Sequence, residues 1–189
     1  MLQGSFARPV GLFENWFNRV VAGITGGPFC HSEFIFTWDK AAVSAFLKTL
    51  DGQELLEKRC EEYEEDNEVN ICFYVLWGDT CSYRFLKNSH RNKFYRLPNE
   101  ADYEKVEIPI NMEEEYKLAR FLLEQCGKNY DYVGALTYFV PFRRTDNTYD
   151  MYFCSQLMVC ALQHVDKLGH VNPSGITPNT LYKLLLTSL

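Results

Sequence analysis

The stretch Tyr152-Phe153-Cys154-Ser155-Gln156-Leu157 sets a cysteine where an aromatic lead-in turns into a helical pattern, and no other segment constrains the fold as tightly. From Phe153 to about Asp166, the residues Leu157, Met158, Ala161 and Val165 recur at helical spacing and share the face of Cys154. That face needs a partner layer, so Cys154 has to look toward a core or a sheet rather than into solvent. Cys160, about 240 degrees further round at roughly 100 degrees per residue, faces elsewhere.

The rest of the chain can supply such a layer. The run Phe29 to Trp38 predicts a strand, and alternation puts His31, Glu33 and Ile35 on one side and Ser32, Phe34, Phe36 and Trp38 on the other. Cys30 then points away from His31. Val69 to Trp77 and Cys81 to Leu86 predict two more strands around the turn Gly78-Asp79-Thr80, and the apolar runs Phe94 to Leu97 and Val106 to Ile110 are candidates to complete the sheet. Helices are predicted over Leu12 to Ile24, which is expected to dock on the core, over Asp39 to Leu50, and over Met112 to Cys126, where three glutamates in the first turn suit the helix dipole. A last helix follows Thr177-Pro178, an N-cap and first-position pair. Tyr130 to Phe142 is an aromatic segment that fits a short helix or a buried loop, and residues 143 to 150 form a polar connection.

Composition narrows the function classes. A chain of 189 residues with 47% hydrophobic side chains can bury a sizeable core, and one domain spanning 1–189 is expected. Asp51 to Glu68, nine acidic residues against Lys58 and Arg59, accounts for the net charge of -6 and leaves the remainder near neutral; it is read as a solvated extension or insertion. No basic stripe is present to neutralise phosphates, which argues against nucleic-acid binding. No apolar run is long enough for a transmembrane segment, and no signal peptide is evident. Seven cysteines without a Cys-x-x-Cys pair favour reduced thiols and an intracellular, cytoplasmic setting, and the four histidines lack metal-ligand spacing with them, so neither metal nor organic cofactor is expected.

Chemistry then rests on the thiol. Cysteine is a good nucleophile near neutral pH when it is largely thiolate, which a helix N-terminus and a neighbouring histidine both promote. Cys154 has the first, and His31, about 120 residues earlier, is the histidine able to provide the second. Taken singly, each also fits a structural role in a core. His164 and His170, at the end of the cysteine helix and just beyond it, suit the helix dipole better than catalysis.

Three motifs in order resemble the circularly permuted papain-like superfamily of NlpC type: Gly26-Gly27-Pro28-Phe29-Cys30-His31-Ser32-Glu33-Phe34, Tyr130-Asp131-Tyr132-Val133-Gly134, and Tyr152-Phe153-Cys154-Ser155-Gln156-Leu157. That superfamily includes the lecithin retinol acyltransferase group and proteins of large DNA viruses. The resemblance spans most of the chain, with residues 39–77 reading as an insertion. It implies an α+β permuted papain-like fold, an antiparallel sheet packed against helices that include the nucleophile helix, with histidine preceding cysteine. It also implies Cys154 as nucleophile, His31 as general base and main-chain N–H groups at the start of the cysteine helix as oxyanion donors. The implied reaction is attack on an amide, ester or thioester carbonyl of a peptide, lipid or acyl-thioester substrate through an acyl-enzyme. The histidine-orienting residue maps to Ser82, in the hairpin Thr80 to Tyr83, with Glu33 as the alternative on the face of His31. Tyr130, Asp131 and Tyr152 are candidate substrate contacts, although packing and hydrogen bonding within the fold is the favoured account of Asp131 and the tyrosines beside it. The competing implication is a catalytically inactive binding protein or viral structural protein, located in host cytoplasm or virion, whose acidic or aromatic segment meets a protein partner.

Overall fold

A computed structural model describes residues 1–50, 54–136 and 150–188. Its centre is a five-stranded antiparallel sheet in the order β4-β3-β2-β1-β5. The strands are β1 Leu2–Ala7, β2 His31–Asp39, β3 Glu68–Val75, β4 Cys81–Leu86 and β5 Tyr103–Ile108. Helices α1 Trp16–Ile24, α2 Lys40–Leu47, α3 Glu54–Glu62, α4 Met112–Gln125, α5 Tyr132–Leu136, α6 Cys154–His164 and α7 Pro178–Ser188 surround it, with a small parallel pair, β6 Asn129–Tyr130 and β7 Met151–Tyr152, beside the sheet. The α+β class expected from the sequence is what the chain adopts.

Alternation along β2 divides the molecule into two layers of packing. Phe34, Phe36 and Trp38 join Leu157, Met158 and Leu162 of α6 and Leu118 and Leu122 of α4 in one continuous core that runs from Leu2 to Leu185. Ile35 faces the other way, into a smaller cluster with Cys72, Tyr74 and Leu86 that Phe94 and Leu97 cover. The run Phe94 to Leu97 is therefore not a strand: Lys93–Tyr95 forms a 3-10 turn lying on the second face.

The fifth strand is β1, for which the sequence offered little sign. It is hydrogen-bonded between β2 and β5, with Ala7 opposite both His31 and Tyr103. Gly4 at its centre has no side chain because Leu185 and Met158 cross there; an added Cβ would lie 3.0 Å from Leu185 Cδ1. The region 39–77, read as an insertion, contains β3, which is paired between β2 and β4 and so belongs to the sheet. The part standing outside the sheet is α2 and α3. In the acidic stretch, α3 buries Leu56 and Cys60 against the core, while residues 51–53 lie outside the described region. Helix α1 also departs from expectation: only Ala22 is buried, and its apolar residues face a cleft. The aromatic run is helical over Tyr132–Leu136; its continuation at 137–142 and the polar connection at 143–149 lie outside the described residues.

The helix starts follow from local chemistry. Asn111 caps α4 by accepting from Glu114 N–H at 3.0 Å while the Glu114 carboxylate accepts from Asn111 N–H at 2.9 Å, a reciprocal capping box. Thr177 Oγ1 accepts from Thr180 N–H at 3.1 Å and Pro178 occupies the first turn of α7. Asn179, buried on that helix, clamps the loop leading into β2: its Oδ1 accepts from Phe29 N–H at 2.9 Å and its Nδ2 donates to Phe29 O at 2.8 Å and to Thr25 Oγ1 at 2.6 Å. Gly27 fits beneath this amide, and a Cβ there would overlap Asn179 Oδ1.

This clamp sets where His31 begins. Asn179→Ala leaves both backbone groups of Phe29 unpaired, and loss of buried hydrogen bonds of this kind costs about 1–3 kcal/mol per stranded group. With two groups stranded, denaturant unfolding of the variant is expected to show a destabilisation of about 2–6 kcal/mol.

Candidate active site

His31 is the first residue of β2, at a place where the sheet has a gap. The β2–β3 ladder runs from Asp39↔Glu68 to Phe34↔Phe73 and does not reach His31. Helix α6 starts over this corner and brings Cys154 within hydrogen-bonding reach of the imidazole. Both side chains are buried, His31 to 4% and Cys154 to 7% exposure, and both border a cleft of about 720 Å³. Phe13, from the turn before α1, stacks on the His31 ring with centroids 5.0 Å apart.

Behind the imidazole stands a buried charge chain. His31 Nε2 lies 3.4 Å from Glu33 Oε2, a long and poorly aligned approach that leaves Nε2 without a hydrogen bond of normal geometry. The carboxylate is held instead by Arg84, whose Nη2 donates to its two oxygens at 2.8 and 3.0 Å, and by the Cys72 thiol. Arg84 comes from β4, where the register Cys72↔Arg84 places it on the face shared with Ile35 and Cys72. Its guanidinium lies between Tyr74 and Phe94, 4.7 and 4.3 Å from their ring centroids, so the aromatic faces cover nitrogens that have no hydrogen-bond partner.

These contacts decide the protonation states. Burial works against charge on His31, but the hydrogen bond to Cys154 and the Glu33 carboxylate outweigh it and raise the ring to about 9. Burial also opposes a thiolate at Cys154, and is overcome chiefly by the neighbouring His31 ring. The thiol is thus held below its ordinary range. Glu33, too, is lowered despite burial, chiefly by Arg84 and then by His31. Each shift favours the same row of charges: thiolate, imidazolium, carboxylate and guanidinium.

Neighbouring thiols behave differently. Cys30 borders the same cleft, but burial and then the charge of Cys154 push it up to about 12, and its Sγ lies 3.5 Å from Ala7 O. Cys60 and Cys160 are raised mainly by burial, to about 11 and about 12. Cys126 is lowered by its pairing with Cys81, and neither thiol lines the cleft.

The other expected site residues divide. Ser82 pairs with Tyr74 on the edge strand β4, two strands from β2, and at about 4.8 Å per strand its hydroxyl is out of reach of His31. Of the two candidates for supporting the histidine, Glu33 is the one in contact. Tyr130 lines the cleft. Asp131 caps α5, accepting from Gly134 N–H at 2.6 Å. Tyr152 turns away from the cleft and donates its hydroxyl hydrogen to Gln125 Oε1 at 2.9 Å. Arg84, Cys72, Ser32 and Phe13 were not foreseen. Arg84 carried a sequence signal, a lone cation at a position whose alternation matches Leu86 in an otherwise apolar strand; the remaining three carried none.

No group of three or more His, Cys, Asp and Glu side chains suited to hold a metal ion occurs among the described residues. No described helix is long and apolar enough to cross a membrane. Comparison with family models, curated proteins and solved structures finds no match for this chain.

The charge chain carries a pH signature. Glu33 has a folded pKa below its ordinary 4.5, so its contribution to stability is present above about pH 4.5 and is lost as pH falls through the folded value. His31 is raised above its ordinary 6.5, so its contribution is complete below about 6.5 and is lost as pH rises through about 9. Chemical denaturation across this span is expected to show greatest stability between about 4.5 and 6.5 from these two groups. Removing one partner of a buried ion pair costs about 3–5 kcal/mol. Arg84→Met is expected to lose that much, and Glu33→Gln to remove the acid limb while moving the alkaline limb to lower pH.

Proposed function

We propose that this chain is a cysteine-dependent hydrolase or acyltransferase with a permuted papain-like arrangement, acting on an amide, ester or thioester carbonyl. The observation that carries the reading is the pairing of Cys154, at the N-terminus of a buried helix, with an imidazole whose far side meets the Arg84-held carboxylate of Glu33. An interior thiol on an apolar helix has no structural use for a histidine, a carboxylate and a guanidinium in line behind it. The placement of the pair at the base of a cleft adds a route for substrate.

In this mechanism the Cys154 thiolate attacks the carbonyl carbon, forming a C–S bond and moving the π electron pair to oxygen. First-turn N–H groups of a helix have no intrahelical acceptor, and no side chain caps those of α6. The N–H groups of Cys154 and its neighbours are therefore the oxyanion donors, with the helix dipole behind them. Gln156 Oε1 accepts from Phe153 N–H at 3.3 Å, which fixes the chain just before this turn. Collapse of the tetrahedral adduct expels the leaving group, which takes the proton held by His31, and leaves a thioester on Cys154. Water or another acceptor then gives its proton to His31 and attacks the thioester, releasing the acyl group and the thiolate. Ion pairing of Glu33 with His31 keeps the ring oriented and charged between these steps, as a carboxylate does in other nucleophile–histidine systems.

Alkylation by an electrophilic probe near pH 7, with labelled positions assigned by mass spectrometry, tests this. Cys154 is expected to react at least tenfold faster than the other six thiols, including the lowered Cys126, and His31→Ala is expected to remove most of that advantage. Uniform labelling, unchanged by His31→Ala, would falsify the assignment. Acyl turnover is further expected to fall as pH rises through about 9, where His31 loses the proton it gives to the leaving group.

A further inference from the structure

The cleft above Cys154 has a composition that selects among the substrates left open by the proposed chemistry. None of the described residues lining it is Lys, Arg, Asp or Glu, so the thiolate–imidazolium pair is its charged feature. The amide and aliphatic hydroxyl side chains in its wall each have at least one polar atom engaged within the protein. Asn15 Oδ1 accepts from Asn18 N–H at 2.8 Å, and Asn18 Nδ2 donates to Phe13 O at 3.0 Å. Thr25 Oγ1 donates to Val21 O at 2.8 Å, Ser155 Oγ donates to Ile176 O at 2.8 Å, and Thr177 Oγ1 accepts from Thr180 N–H. A peptide brings one backbone donor and one acceptor per residue, and such a wall leaves them unpaired.

What the wall does offer is continuous apolar surface. Helix α1 runs along the cleft for about 12 Å at 1.5 Å per residue. Its Trp16, Val20 and Ile24 remain 76%, 46% and 55% exposed although they line the cavity. Phe17 packs on Trp77 with centroids 4.6 Å apart, and Trp77 in turn packs on Tyr130 at 5.5 Å, so aromatic rings continue the surface on the opposite side. This much unfilled apolar lining among the described residues, free of Lys, Arg, Asp and Glu and leading to the Cys154 thiol, matches a chain of methylenes.

Resting on the proposed thiol chemistry, we infer that the substrate is a long unbranched acyl group, its carbonyl at Cys154 and its hydrocarbon tail along α1. The exposed α1 face is then the tail-binding wall, which explains why a helix with so apolar a face buries only Ala22 in the core. Chain length is the specificity determinant, and the alcohol, thiol or amine on the other side of the carbonyl is read weakly. The same acyl chain could arrive from a lipid ester or from an acyl-thioester.

The test is a series of p-nitrophenyl esters and a matching series of alkyl-thiol thioesters, from acetyl to octanoyl, each below its aggregation concentration. Each buried methylene is expected to raise kcat/KM about threefold to fourfold, the factor that about 0.8 kcal/mol per methylene gives. The series with the steeper and faster turnover identifies the source, ester or thioester. Val21→Asp, which puts a carboxylate into the wall, is expected to abolish most of the octanoyl-to-acetyl ratio. Turnover that is flat or falls with chain length, in a protein whose Cys154 forms the acyl-enzyme, overturns the acyl-chain assignment and leaves the thiol chemistry standing. Absence of any acyl-enzyme from either series overturns both.

Discussion

A carboxylate with no water around it has to be neutralised or paired, and the pairing of Glu33 with Arg84 is the constraint on which the site depends. Both residues sit inside the sheet's smaller packing layer, on strands β2 and β4 with β3 between them. The guanidinium, itself cushioned by Tyr74 and Phe94, favours the ionised Glu33; Glu33 favours a charged His31; and the charged ring draws the Cys154 thiol below its ordinary range. Buried ion pairs of this kind rarely contribute net stability over an apolar replacement, because desolvation offsets their attraction. Their presence here is better explained by the electrostatics they impose on the ring than by strength added to the fold.

That chain of charges needs a sheet that is complete on one side of His31 and interrupted on the other. Strand β1 completes it, pairing Ala7 with His31, while the β2–β3 ladder stops at Phe34 and leaves the corner over which α6 begins. Asn179 fixes the same corner from α7 through both backbone groups of Phe29. The result is a thiol and imidazole pair whose surroundings come from the N-terminal strand, the middle of the chain and the last helix. Removing any one of them would move the imidazole relative to the sulfur.

Local patterns made much of the framework legible. Alternation in Phe29 to Trp38 put Phe34, Phe36 and Trp38 in one layer and Ile35 in the other, and the limits of β4 and the starts of α4 and α7 followed from apolar periodicity, first-turn glutamates and the Thr177-Pro178 pair. Strand β1 escaped because Leu-Gln-Gly-Ser-Phe-Ala has no β-branched residue and carries a glycine at its centre; the reason for the glycine, the crossing of Leu185 and Met158, is tertiary. Helix α1 was legible as a helix and misleading as to packing, since periodicity reports an apolar face without saying what covers it. In the site, Cys154 and His31 were legible as a pair, whereas the choice between Ser82 and Glu33 was not. Alternation places residues two apart on one face but does not say whether a strand's first side chain leans along it.

From sequence alone come the cysteine at a helix start and the histidine on a strand with Glu33 two positions on. These are local properties, set by backbone periodicity and side-chain chemistry. Only the tertiary structure decided that β1 sits beside β2, that Arg84 reaches across the sheet to Glu33, and that α1 lines a cavity instead of filling the core. Each of these depends on strand order and register, which bring together residues far apart in the chain, and neither quantity is encoded in any single segment.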